Sequence, residues 1–166
     1  MEIRKAALGD IPEIMKIYDL ARAFMRASGN FSQWGGGYPS AALLEDDIQA
    51  GNLYVMCLDG VIDGVFALIF GEDPTYRYIE NGRWHSDRPY GTIHRLASRG
   101  TVRGIARTCF AFCCEKSAYL RIDTHEDNRP MQQALERFGF QKCGIIYLAD
   151  GSPRIAFDYI QVQQSE

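Results

Sequence analysis

No stretch of this chain approaches the ~20 consecutive apolar residues that a bilayer-spanning helix requires. Met1-Glu2-Ile3-Arg4 also opens without the pattern of a secretory leader, so a cytoplasmic protein with no membrane partner is expected. A basic excess is missing as well. Eighteen Lys and Arg against 21 Asp and Glu leave a net charge of −3, which argues against nucleic acid as a partner. Cysteine is sparse and odd in number, with five in 166 residues. Cys109, Cys113 and Cys114 share one helical stretch without ligand-like spacing, so buried thiols acting as small hydrophobes are expected, with no metal site. Repeats, low-complexity blocks and linkers are absent too, so residues 1–166 read as a single domain. With 46% hydrophobic residues, a chain of this length can fill one core.

The pattern along the chain predicts alternating strands and helices. Glu2 to Ala6 reads as an opening strand, and Asp10 as the cap of a long helix carrying Ile14, Ile17, Leu20, Ala21 and Phe24 in helical register. A glycine-rich loop, Gly29 to Pro39, leads to Ser40, the cap of a second helix running to about Ala50. Leu53 to Leu58 and Val61 to Phe70 form a hairpin around Asp59-Gly60. Gly71 to Tyr90 lacks clean periodicity and reads as either an extended hairpin or a lid-like insertion. Further on, Tyr119 to Thr124 is a strand, Arg129 to Phe138 a short helix ended by Gly139, and Phe140 to Gly144 the start of another strand. Gly144 to Leu148 and Ile155 to Ile160, turned at Asp150-Gly151-Ser152-Pro153, close the sheet.

The richest stretch is Gly100-Thr101-Val102-Arg103-Gly104-Ile105-Ala106. It joins the apolar strand Ile93-His94-Arg95-Leu96-Ala97 to a helix in which Ile105, Cys109, Phe112 and Cys113 recur at helical spacing. Such a turn points the first helical N–H groups outward at the positive end of the helix dipole. Gly104 has no Cβ, so a ligand phosphate can approach its backbone closely. A plain strand-to-helix turn is the bland alternative. No Lys-Ser or Lys-Thr follows the glycine, which disfavours a nucleotide-hydrolysing P-loop. A complete Gly-x-Gly-x-x-Gly with its acidic partner is also lacking, which disfavours a dinucleotide site.

Thr101-x-x-Gly104-x-Ala106 resembles the Arg/Gln-x-x-Gly-x-Gly/Ala signature of the GCN5-related N-acetyltransferase (GNAT) family, with Thr101 in place of Arg/Gln. Downstream, Asn128, the following helix and Gly139-Phe140 resemble that family's Asn-x-x-(helix)-Gly-Phe segment. The motif-grade resemblance runs from Leu96 to Phe140. It implies an α/β (α+β) acyl-CoA N-acyltransferase fold, with a mixed, mostly antiparallel central sheet flanked by helices. It implies acetyl-CoA as co-substrate, its pyrophosphate gripped by Ser98, Thr101, Val102, Arg103, Gly104, Ile105, Ala106 and Arg107, with Asn128 contacting the coenzyme. Leu96 and Ala97 complete that set, and the backbone N–H of one of them is the implied oxyanion donor.

Acetyl transfer to an amine also needs proton handling. An alkylammonium of pKa ~10.4 is neutral about once in ~2,500 molecules at pH 7, so desolvation or a base must help. His94 shares strand parity with Tyr90, Thr92 and Leu96, and its ordinary pKa suits a base; a histidine hydrogen-bonded within the sheet is the alternative. His125 is the second candidate. The family's tyrosine acid falls at Leu135, which cannot donate a proton, so Tyr147 and Tyr90 stand as substitutes. Trp34, Tyr38, Tyr90 and His125 are the expected pocket residues, with Trp84 another aromatic beside a loop; all could equally cap the core. Arg99, Arg103 and Arg107 either meet phosphates or form a solvated face. Asn128 either contacts the coenzyme or caps its helix.

The leading expectation is therefore transfer of an acetyl group to a primary amine by direct attack in a ternary complex. The acceptor is a small molecule or a peptide, and a homodimer is left open. Leu135 and Thr101 motivate the alternative, a non-catalytic acyl-CoA-binding domain of the same fold. A third reading is an interaction domain with a fortuitous glycine turn.

Overall fold

The computed structural model describes residues 1–162. Its strands are β1 (Glu2–Lys5), β2 (Leu53–Leu58), β3 (Val61–Phe70), β4 (Gly91–Ser98), β5 (Tyr119–Thr124), β6 (Gln141–Tyr147) and β7 (Pro153–Ile160). The helices among the described residues are α1 (Ile11–Ala27), α2 (Ala41–Gln49), α3 (Ile105–Lys116) and α4 (Arg129–Phe138), with 3-10 turns at Leu8–Asp10 and Pro74–Tyr76. The strands form one open mixed sheet in the order β1-β2-β3-β4-β5-β7-β6. β4 and β5 run parallel, pairing Gly91 with Leu120 and Thr92 with Arg121. The β1–β2, β2–β3, β5–β7 and β6–β7 ladders are antiparallel.

Local chemistry explains most element boundaries. Asp59 (φ 52°) and Gly60 (φ 79°) both adopt left-handed backbone, the requirement of a two-residue hairpin turn whose twist matches its strands. Ser40 Oγ accepts from Leu43 N at 3.2 Å and starts α2. Gly139, at φ 118°, closes α4. Asp10 departs from expectation: it precedes α1, but its side chain makes no cap bond to that helix. Its carboxylate instead accepts from the two terminal guanidinium nitrogens of Arg4, at 2.8 and 3.0 Å, and from Ala7 N at 2.8 Å. A bidentate bond between two charged groups outcompetes a cap in which only the carboxylate is charged.

The chain clusters into two compact units. The first holds Met1–Leu68 and His94–Ala106. Its core includes Ile14, Ile17, Tyr18, Leu44, Val55, Met56 and Phe66, all without solvent exposure.

The second unit holds Ile69–Ile93 and the chain from Arg107 on. Phe110, Phe138, Phe140 and Tyr159 pack ring against ring, with centroids 5.1–5.9 Å apart. Cys109 and Cys113 are fully buried, as expected of thiols used as hydrophobes, whereas Cys114 is only half-buried. Residues 71–90 are neither a hairpin nor a lid but are stitched onto β6. Glu80 and Ile145 exchange two 2.8 Å backbone bonds, and Arg83 N donates to Cys143 O at 2.8 Å. Tyr76, Tyr90 and Trp84 of this segment pack into the cluster of Tyr119, Cys143, Ile146 and Ala156.

Candidate active site

In the first unit, β3 holds the glycine loop at several points. Arg99 N donates to Asp63 O at 2.8 Å, Arg99 Nε to Ile62 O at 3.0 Å, and Thr101 Oγ1 to buried Asp63 at 3.3 Å. Gly64 lets the start of α3 approach, since a Cβ there would sit 2.9 Å from Ile105 and 3.1 Å from Met56 Sδ. Gly100 N donates to Ser98 Oγ at 3.0 Å, tightening the exit from β4. Thus Ser98, Arg99 and Thr101 shape the loop with their side chains. Arg103 and Gly104 are exposed at its crest, Val102 and Ala106 are half-buried, and Ile105 is buried. Gly104 stands at φ +81°, immediately before α3, with nothing within 4 Å of where its Cβ would be. Arg107 is exposed in the first turn of α3.

β4 is not a straight strand. Arg95 takes φ 55°, the one non-glycine residue with left-handed backbone inside a named strand among the described residues. The bend interrupts the alternation assumed between His94 and Leu96. His94 is half-buried, while Leu96 and Ala97 are buried. Arg95 carries a buried bidentate pair to Asp47 on α2, Nε–Oδ2 3.0 Å and NH2–Oδ1 2.9 Å. Breaking such a pair by removing one partner costs about 3–5 kcal/mol. Burial works against the charged form of Arg95, but Tyr38 and Asp47 outweigh it and raise its pKa. Tyr18 OH donates to Arg95 O at 2.7 Å, and Arg95 NH1 to Tyr38 OH at 3.2 Å. Trp34 meets Tyr18 edge-on at 5.4 Å and Tyr38 at 6.5 Å. Two expected pocket residues, Trp34 and Tyr38, are therefore gathered with Arg95.

The second unit places the remaining candidates. Tyr90 is buried, accepts from Asp73 N at 2.8 Å and lies 4.1 Å from the Arg121 guanidinium. Trp84 covers that guanidinium at 4.2 Å and donates to Tyr76 O at 2.9 Å. Both rings are thus part of the core packing. His125 Nδ1 accepts from Asp127 N at 3.0 Å in the turn before α4. Asn128 Oδ1 accepts from Met131 N at 3.2 Å and caps α4. Tyr147 on β6 donates to Glu80, and that bond raises its pKa. Leu135 is fully buried on α4. His85 Nδ1 meets Asp158 Oδ1 at 2.7 Å and Cys143 Sγ at 3.4 Å, and Asp158 also accepts from His85 N and Tyr119 OH, each at 2.8 Å. This network fastens residues 71–90 to β6 and β7.

Among solved structures, a GNAT-family acetyltransferase from Streptococcus agalactiae 2603 is 35% identical, with a TM-score of 0.89, covering 98% of this chain and 96% of that one. The chain belongs to the GNAT family. A GNAT-family acetyltransferase from Listeria monocytogenes 4b F2365 shares the fold at 19% identity and TM-score 0.71, covering 96% and 94% of the two chains. So does yncA from Salmonella typhimurium, solved with its cofactor acetyl-CoA, at 14% identity and TM-score 0.62 over 99% and 96%. No family model and no curated protein matches the sequence. Sequence reasoning passed over Tyr18, Asp47 and Arg95. The available signal was a pair of opposite charges at buried positions: Asp47 lies three residues after Leu44 on the helical stripe, and Arg95 sits inside an apolar strand.

Proposed function

We propose that this GNAT protein transfers an acetyl group from acetyl-CoA to a primary amine of a small molecule or peptide by direct attack in a ternary complex. The observation that carries the reading is Gly104, exposed and left-handed at the start of a twelve-residue helix, with open space where a side chain would be. Amides at such a helix start favour phosphate. In this reading the loop from Ser98 to Arg107 holds the pyrophosphate, while Arg99 stays with Ile62 and Glu13. In the same reading the carboxamide of Asn128 meets the peptide-like pantetheine arm.

The coenzyme supplies an acetyl thioester; the chain's residues supply orientation and proton handling. Leu96 or Ala97 N–H would hold the charge that develops on the thioester oxygen. His94 would take the ammonium proton, directly or through water, with His125 the second candidate. Tyr147 would return a proton to the sulfur only by opening its bond to Glu80, so solvent is a competing donor. The buried Leu135 favours the second reading, a coenzyme-binding domain without turnover, because no tyrosine acid stands on α4.

Acetyl-CoA-dependent thiol release over a broad amine panel separates the two readings, since both bind the coenzyme. In the first, His94→Gln lowers the rate by ~10²-fold or more and flattens the acidic limb of the pH–rate profile, with coenzyme binding intact. A near-normal rate with an unchanged acidic limb would move the base to His125 or a water chain.

A further inference from the structure

Left-handed backbone at a bulky residue is held only where the surroundings over-determine it, and Arg95 is fastened at both ends. Its carbonyl accepts from Tyr18 OH at 2.7 Å, and its guanidinium forks onto Asp47 at 2.9 and 3.0 Å. Tyr18 is fully buried, and the Arg95 and Asp47 side chains are each 9% exposed. Fold stability alone is a poor reason for this arrangement, because an apolar pair of similar volume is often as stable as a buried ion pair. What the ion pair adds is geometry. Asp47 on α2 and Tyr18 on α1 fix the backbone at Arg95, and that backbone sets where the next two N–H groups point.

We propose that Tyr18 and Asp47 are positioning residues for acetyl transfer: through Arg95 they lock the bend of β4 that aims the Leu96 or Ala97 amide at the reacting carbonyl. The proposal rests on the oxyanion role given to that amide above. It also assigns a working part to α1 and α2, which carry none of the coenzyme loop. Neither side chain touches the acetyl group in this scheme. Burial raises the Tyr18 pKa, so its hydroxyl stays a donor throughout the working pH range.

The test is isotope-edited infrared spectroscopy of acetyl-CoA labelled with ¹³C at the thioester carbonyl, at saturation on wild type, Tyr18→Phe and Asp47→Asn. Coenzyme A affinity and melting temperature are measured alongside. An aimed N–H polarises the carbonyl and lowers its stretching frequency on the wild-type protein. Both variants should return most of that displacement while binding coenzyme A, which has no acetyl group, as tightly as wild type. A purely structural role would lower the melting temperature and leave the band in place. A displaced band that survives in folded, saturated Tyr18→Phe overturns the clamp alone. An undisplaced band in bound wild type removes the oxyanion assignment and the clamp together, and a wild type that binds no acetyl-CoA removes the coenzyme reading as well. Should Asp47→Asn fail to fold, Tyr18→Phe carries the test, since it deletes one hydroxyl from an otherwise intact ring.

Discussion

Glycine serves opposite ends in the two units. At Gly104 the missing side chain leaves open space above the start of α3. At Gly82 and Gly144 it is filled by backbone: a Cβ on Gly82 would overlap Cys143 O, and one on Gly144 would lie 2.5 Å from Glu80 O. The first glycine keeps a surface approachable; the other two let residues 80–83 lie directly on β6. Both stand at positive φ, +81° at Gly104 and +154° at Gly144. Only the surroundings distinguish a site from a seam.

Substitution should separate them. Gly82→Ala forces backbone against backbone, and it should cost about 3 kcal/mol or more in a urea melt. A loss below about 1 kcal/mol would mean the seam yields, and the contrast with Gly104 would collapse. Gly104→Asp meets no such wall. Its main effect should be loss of the coenzyme's contribution to stability, about 2.7 kcal/mol at 100 times Kd, read as a missing thermal shift. Gly104→Ala supplies the control, since it carries only the left-handed penalty of about 1–2 kcal/mol. A full coenzyme shift in folded Gly104→Asp would move the phosphate site elsewhere.

The smallest effect concerns Asp10, where a side chain expected to serve its own helix serves Arg4. That hydrogen-bonded pair lowers the folded-state pKa of Asp10 below its ordinary value. Its stabilisation is present above the unfolded carboxyl pKa of about 3.9 and is lost as pH falls through the lower folded value. Being near the surface, it is worth at most about 1 kcal/mol. Wild type should lose its advantage over Asp10→Asn below about pH 4, and an equal gap at pH 3 and pH 7 would contradict the pairing.

The Asp59-Gly60 turn, the Ser40 cap and the Gly139 stop were legible because each is decided within a few residues. Asp10 was misread because its partner, Arg4, stands on β1 outside the helix, and that ion pair outranked the cap. Residues 71–90 lacked periodicity because their order is tertiary. Tyr76 OH bonds Asp123 at 2.6 Å and His85 bonds Asp158, partners 47 and 73 residues away. The glycine loop was visible in its punctuation. The bend in β4 was not read, although Ile93-His94-Arg95-Leu96-Ala97 sets two polar residues and then two apolar ones in succession and so breaks strict alternation at Arg95.

The seam on β6 also bears on assembly. Strands at a sheet border expose unpaired backbone that can recruit a second chain. β6 lies at one border, but at Cys143 and Ile145 its outer backbone already pairs with Arg83 and Glu80. β1, at the other border, has four residues, three of them charged: Glu2, Arg4 and Lys5. Shortness and charge are the usual defences of an edge. The two borders thus carry different defences against a second chain, a covering segment at β6 and shortness with charge at β1.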